Sequence, residues 1–304
     1  MNSQLIEELD ALGGEILPAN LRDCDEIVLN QPGFTARIAL WGGHLVSFKP
    51  SGQEDWLFQS ENPGGQSRFG RRHFGVPVCW PWFGAHSDDE DMPAHGVARY
   101  FRWQLTEVGR FSNGDVKIVL SLASKDHPLI EEMVPQAFEL RQIMRLGETC
   151  SVQLAAANLS DEPMMISEAL HTYLHIGDNA KARITGLEGC PYVDKFDGGA
   201  VKLQQGAIMP CDTLDRVYDQ APQQVTLHDP VFKRTMTITS EGSQSTVVWN
   251  PGEALAKLRT DLEDDEYRSF VCIEAANALQ HTYHLAPGEL RTLTQTIQCE
   301  PIGD

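Results

Sequence analysis

Three short stretches of this chain concentrate residues able to move protons or hold anions. The first runs Arg68-Phe69-Gly70-Arg71-Arg72-His73-Phe74-Gly75-Val76-Pro77-Val78-Cys79-Trp80-Pro81-Trp82-Phe83-Gly84 and resumes at Pro93-Ala94-His95-Gly96-Val97-Ala98-Arg99. A guanidinium grips phosphate oxygens in a two-pronged fork, and an indole packs against C–H surfaces. Together they suit an anionic ligand with a sugar-like apolar face. The plainer alternative makes Trp80, Pro81 and Trp82 core plugs and the arginines ordinary surface charges. The second stretch is Glu168-Ala169-Leu170-His171-Thr172-Tyr173-Leu174-His175. On a strand His171, Tyr173 and His175 share one face, and a histidine there could exchange protons near neutrality. It could equally ligate a metal with His175, His281 or His284, or be a hydrogen-bonded, half-buried histidine. The third is Phe270-Val271-Cys272-Ile273-Glu274-Ala275-Ala276-Asn277. An unpaired charge buried in so apolar a strand is expensive, so an inward Glu274 needs a partner or a raised pKa. A half-exposed strand would simply turn Glu274 to water.

The elements that must position these groups read as strands. Val116, Ile118, Leu120 and Leu122 alternate with Lys117 and Ser121, and Phe138, Leu140, Gln142, Met144 and Leu146 share a face. Further strand patterns fall at 36–40, 44–48, 151–158, 164–176, 181–187, 224–228, 231–239, 245–249, 270–275, 280–285 and 290–298. Turn residues such as Ser112-Asn113-Gly114-Asp115 and Ala286-Pro287-Gly288-Glu289 separate them. One short helix is expected at about 4–12. Many short strands with few helices imply an all-β sandwich or barrel, and with no linker or repeat the 304 residues read as a single domain. Two long connections, 59–98 and 250–269, are candidate functional loops.

Composition narrows the function. Lysine and arginine total 24 against 43 aspartates and glutamates, a formal net charge of −19. Such a surface repels phosphate backbones and anionic lipid, so no nucleic-acid or membrane partner is expected. An anionic small molecule remains open if a local cationic cluster reverses the field. Seven scattered cysteines, none in a CxxC pair, argue against a disulfide framework and a zinc ribbon. With an acidic start and no apolar run near ~20 residues, a cytoplasmic protein with reduced thiols is expected, by default a monomer.

Read in order, GVPVCWPWFG (75–84), PAHGVAR (93–99), ALHTYLHIGD (169–178), LDRVY (214–218), WNPG (249–252) and FVCIEAAN (270–277) resemble the hexose-6-phosphate mutarotases, or glucose-6-phosphate 1-epimerases, of the galactose-mutarotase-like superfamily. The likeness runs from near residue 36 to the C-terminus. It implies a large antiparallel β-sandwich (a supersandwich) whose cleft binds a hexose phosphate and exchanges its α and β anomers. It further implies His171 as acid and Glu274 as base, His95 bonding the ring oxygen or a neighbouring hydroxyl, Asp215 bonding sugar hydroxyls, and no metal or organic cofactor. Arg99 matches the family's second phosphate-binding arginine. Its first stands in an Arg-Gly-Gly run, where this chain reads His73-Phe74-Gly75. Arg72 or Arg71 in a shifted loop, or His73 itself, would then make that contact. The competing readings are a sugar-binding sandwich without catalysis, an aldose 1-epimerase for unphosphorylated sugar, and a metal-dependent sandwich or cupin-like enzyme built on the histidines.

Overall fold

Alternating buried and exposed side chains build two broad antiparallel sheets. The computed structural model describes residues 3–18, 25–62 and 74–303. One eight-stranded sheet orders its strands Arg183–Thr185, Gln224–Asp229, Arg234–Glu241, Leu290–Pro301, Cys150–Asn158, Phe138–Leu146, Val116–Ala123 and Gln104–Arg110. Its inner face carries the predicted rows: Ile118, Leu120, Leu122, Leu140 and Met144 are buried, and so is Gln142. A second sheet orders Ala200–Leu203, Pro191–Asp194, Leu214–Asp219, Ser245–Asn250, Phe270–Asn277, Glu168–Leu170 and Val78–Cys79, with Tyr173–His175 pairing the Phe270–Asn277 strand off this path. A four-stranded antiparallel sheet spans Gly14–Leu17 to Leu45–Pro50, and Met164–Ile166 pairs with Tyr283–Leu285. The main core joins Leu120, Leu140 and Leu154 of the first sheet to Leu170, Val248 and Ile273 of the second.

All eight residues of the Phe270–Asn277 strand are buried. Val271, Ile273 and Ala275 enter the main core. The alternate residues Cys272 and Ala276 enter two smaller clusters on the opposite face, and Glu274 lies between them in register. A strand covered on both sides loses its polar alternation, which is why one glutamate in it stands out.

The structure departs from the expected strands in two ways. The 164–176 run is three pieces, because the His171 N–H turns to the Pro77 carbonyl and the Thr172 N–H to that of Leu170. The strands Gly14–Leu17, Glu26–Asn30, Val78–Cys79, Gln104–Arg110, Pro191–Asp194, Ala200–Leu203 and Leu214–Asp219 were not expected. In Leu214–Asp219 the charges of Asp215, Arg216 and Asp219 mask a period of two. The helix spans Ser3–Ala11, and the 250–269 connection holds a short helix at Gly252–Ala256 and a 3-10 turn at Glu266–Ser269. No helix among the described residues is long and apolar enough to cross a membrane.

Candidate active site

The register of the second sheet assembles the site. Asp215 pairs with Trp249, Trp249 with Cys272, and Cys272 with Tyr173. One step along, Val217 pairs with Val247 and Val247 with Glu274. Residues opposite each other project from the same face, so Asp215, Trp249, Tyr173 and Glu274 share one surface. The pairings Leu170↔Ala275 and Tyr173↔Cys272 keep the same register across the break at 171–172. His171 therefore arrives opposite Glu274, with its Nε2 3.5 Å from Glu274 Oε1.

Both groups are withdrawn from water: Glu274 is 1% exposed and His171 7%. Neither Glu274 oxygen has a hydrogen-bond partner, nor does His171 Nδ1. Burial above all pushes the Glu274 carboxyl well above its usual value; Asp215 adds to this, while Lys195 and Arg99 oppose it. Burial also pulls the His171 imidazole well below its usual value, helped by His95 and Arg99. Burial thus works against the charged form of both groups, the kind of perturbation that general acid–base work uses.

His95 meets the His171 ring at 5.6 Å and Phe83 at 5.1 Å, both edge to face. Its Nδ1 accepts from the Gly84 N–H at 3.3 Å, leaving Nε2–H as the donor. Burial, with the charges of Arg99, Lys195 and Arg259, pulls it down to about 3, so the ring is a neutral donor at working pH. The backbone holding it is tight: φ is 66° at His95 and 76° at Gly96, where the chain runs beside Trp80. A side chain on Gly96 would strike the Trp80 carbonyl oxygen. Gly96→Ala is expected to remove roughly 3 kcal/mol or more of stability, read as a clear drop in melting temperature. An unchanged melt would show that this backbone approach relaxes freely.

The floor beside the pair is aromatic. Tyr173 stacks on His171 at 4.8 Å, and Trp249 stands edge-on to it at 5.9 Å. Phe74 packs edge-on against Phe58 at 5.4 Å and Tyr173 at 5.2 Å. The phenylalanine at a position expected to be glycine thus fills a cluster that buttresses the site. Three cations act on His95 from separate segments. Arg99 is 7% exposed and its Nε lacks a hydrogen-bond partner. Lys195 lies 3.6 Å from Asp215. Arg259 covers Trp249 at 5.6 Å and forks onto Asp261 at 2.9 and 2.6 Å. In a chain of net charge −19, three cations are thus drawn towards one histidine.

His171, Glu274, His95, Arg99 and Asp215 thus meet at one surface, by contact or by charge. Arg72 and His73, with Arg68 and Arg71, lie outside the described residues. His175 turns away to the Asp55 carbonyl and the Phe232 ring. His281 pairs with Asp219, and the other of the late pair, His284, is exposed. Among the described residues no three His, Cys, Asp or Glu side chains gather as a metal cage. The six described cysteines are free thiols. Lys195 and Arg259 escaped the sequence reading because neither sits in a motif; only the length of the 250–269 connection pointed towards Arg259. Glu168 is a second buried carboxylate, bonded by Asn277 and the Tyr283 hydroxyl.

Residues 25–298 match the family model described as aldose 1-epimerase. A provisionally named glucose-6-phosphate 1-epimerase of Salmonella typhimurium is 34% identical over 259 residues, covering 85% of each chain. One of Cenchrus ciliaris with the same provisional name is 32% identical over 265 residues, 84% of this chain and 78% of that one. The crystal structure of a provisionally named mutarotase from Salmonella typhimurium superposes with a TM-score of 0.86 at 30% identity, over 97% of this chain and 99% of the other.

Proposed function

We propose, from the premise that this chain belongs to the aldose 1-epimerase family, that it interconverts the α and β anomers of a hexose 6-phosphate, with glucose 6-phosphate as the favoured substrate. Membership makes the protein an epimerase, an isomerase acting on carbohydrate, with the antiparallel β-sandwich of the mutarotases. The observation that carries the finer reading is the buried His171–Glu274 pair at 3.5 Å. With a proton on His171, Glu274 takes the proton of the anomeric hydroxyl while His171 gives its own to the ring oxygen. The C1–O5 bond breaks to an open aldehyde, rotation about C1–C2 turns its other face to O5, and ring closure returns both protons by reversed roles. Each proton transfer assisted in this way is worth ~10²–10⁴-fold. Burial disfavours the charged pair, and Arg99 and Lys195 offset part of this by favouring the Glu274 carboxylate. His95 supplies a neutral donor for the ring oxygen or an adjacent hydroxyl, and Trp249 and Tyr173 offer apolar faces to the sugar's C–H surface.

The anion is assigned to Arg99. Lys195 and Arg259 each have a carboxylate neighbour, Asp215 and Asp261, whereas the buried Arg99 Nε has no hydrogen-bond partner among the described residues. The relatives' provisional names point to the same ester. Saturation-transfer NMR tests this: irradiating one C1 proton of glucose 6-phosphate should transfer to the other anomer in proportion to enzyme, and far more weakly with glucose. Arg99→Ala should raise KM for the phosphate ester by ~10–10²-fold, the loss of a charge-assisted bond, while glucose changes little. Equal losses on both substrates would make Arg99 structural, and acceleration of glucose alone would replace the phosphorylated substrate with a plain aldose.

A further inference from the structure

Asp215 has an unassigned neighbour in Lys195. Lys195 opens a short 3-10 turn, Lys195–Asp197, between the strands Pro191–Asp194 and Ala200–Leu203. That turn is braced. The Asp194 side chain caps it by accepting from the Phe196 N–H at 3.2 Å, and Lys202 ties Asp194 at 2.9 Å to Asp197 at 2.7 Å. From this platform the Lys195 side chain crosses to the opposite loop, its Nζ 5.0 Å above the Phe83 ring, whose edge meets His95. Its second neighbour is Asp215 Oδ1 at 3.6 Å, with Lys195 35% and Asp215 23% exposed at the side chain. At that distance the two are close but not locked, since an ammonium–carboxylate bond closes to ~2.8 Å.

An ammonium has three donors and no acceptor, while a carboxylate accepts only. Two adjacent ring hydroxyls each offer a donor and an acceptor, so each can donate to the carboxylate and accept from the ammonium. We propose that Lys195 and Asp215 form one clamp on a pair of adjacent ring hydroxyls, with Lys195 the member that sets which hexose epimers the cleft accepts. The clamp rests on the hexose-phosphate reading above and extends it to the sugar ring. Phe83 holds the lysine in place by a cation–π contact, which restrains a flexible four-carbon stem that would otherwise lose entropy on binding. Its neighbour Asp215 lies in the same row as Trp249, so the hydroxyl clamp and an apolar stacking face are adjacent.

The test is a cycle of variants against substrates. Wild type, Lys195→Met and Lys195→Arg are assayed by saturation transfer on glucose 6-phosphate and its 3-deoxy and 4-deoxy analogues. Lys195→Met should raise KM for glucose 6-phosphate by ~10-fold, one charge-assisted hydrogen bond, with a smaller fall in kcat from the lost support of the Glu274 carboxylate. Lys195→Arg, which keeps the charge, should recover most of this. The decisive result is non-additivity: the deoxy analogue lacking the clamped hydroxyl should lose little more with Lys195→Met than with wild type. Losses that multiply for both analogues would overturn the clamp. So would a uniform fall in kcat accompanied by a lower melting temperature, the mark of a structural lysine. Wild type inactive on every hexose phosphate would instead sink the underlying reading, and the clamp with it.

Discussion

Glu274→Gln should leave a folded protein whose anomer exchange is slower by ~10²-fold or more. Glutamine keeps the shape and fits the same slot on the Phe270–Asn277 strand, but its amide cannot take a proton from a hydroxyl. Because the loss falls on the chemical step, kcat should drop with KM little altered. Stability should move the other way. The folded carboxyl has its pKa raised above the usual 4.5, mainly by burial. Its contribution to stability is therefore fully present below the unfolded value and is lost as pH rises through the folded one. Glutamine has no such loss, so the variant should melt at or above the wild-type temperature near neutrality. Retained turnover would remove Glu274 from the role of base.

His171→Asn should have an effect of the same size, ~10²–10⁴-fold on kcat, since the ring oxygen would leave without a proton donor. Its pH dependence separates it from a packing defect. Activity needs one proton on the pair. Lowering the pH adds a second at His171, whose burial has shifted it well below 6.5, so the acid limb of kcat/KM should fall below that value. Raising the pH strips the proton from Glu274, so the alkaline limb should lie well above 4.5. The two limbs belong to the pair and not to either residue alone. In His171→Asn only the titration of Glu274 remains, and the bell should collapse to a single limb. The profile is to be read after dividing out the phosphate ester's own ionisation near pH ~6. A wild-type acid limb at or above 6.5, or an unchanged bell in the variant, would count against His171.

The strand class, the aromatic and glycine-rich loop and the two catalytic candidates were legible in the residues themselves. Alternation survives in sequence when one face of a strand is wet, as for Phe138–Leu146, and a single carboxylate inside an apolar run is conspicuous because an unpaired buried charge is so unfavourable. What the residues hid were strands whose charges break the alternation, such as Leu214–Asp219, where Asp215, Arg216 and Asp219 interrupt the buried Leu214, Val217 and Tyr218. They also hid the break at 171–172, where the Thr172 N–H finds a partner two residues back.

The family resemblance named a role for Asp215 and Arg99, but pairing decided how the groups meet. Only antiparallel register puts His171 opposite Glu274 across a separation of more than a hundred residues, because a one-residue slip would turn either side chain to the core. Only the folded loops bring Lys195 to Asp215 and Phe83, and Arg259 to Trp249. Composition set the global charge at −19, and tertiary structure drew three cations from distant segments around one histidine. Residue types and motif order thus carry the chemistry available to this chain. Distance, burial and charge around each group exist only once non-local strands have paired, because pKa and reach depend on neighbours that local sequence does not contain.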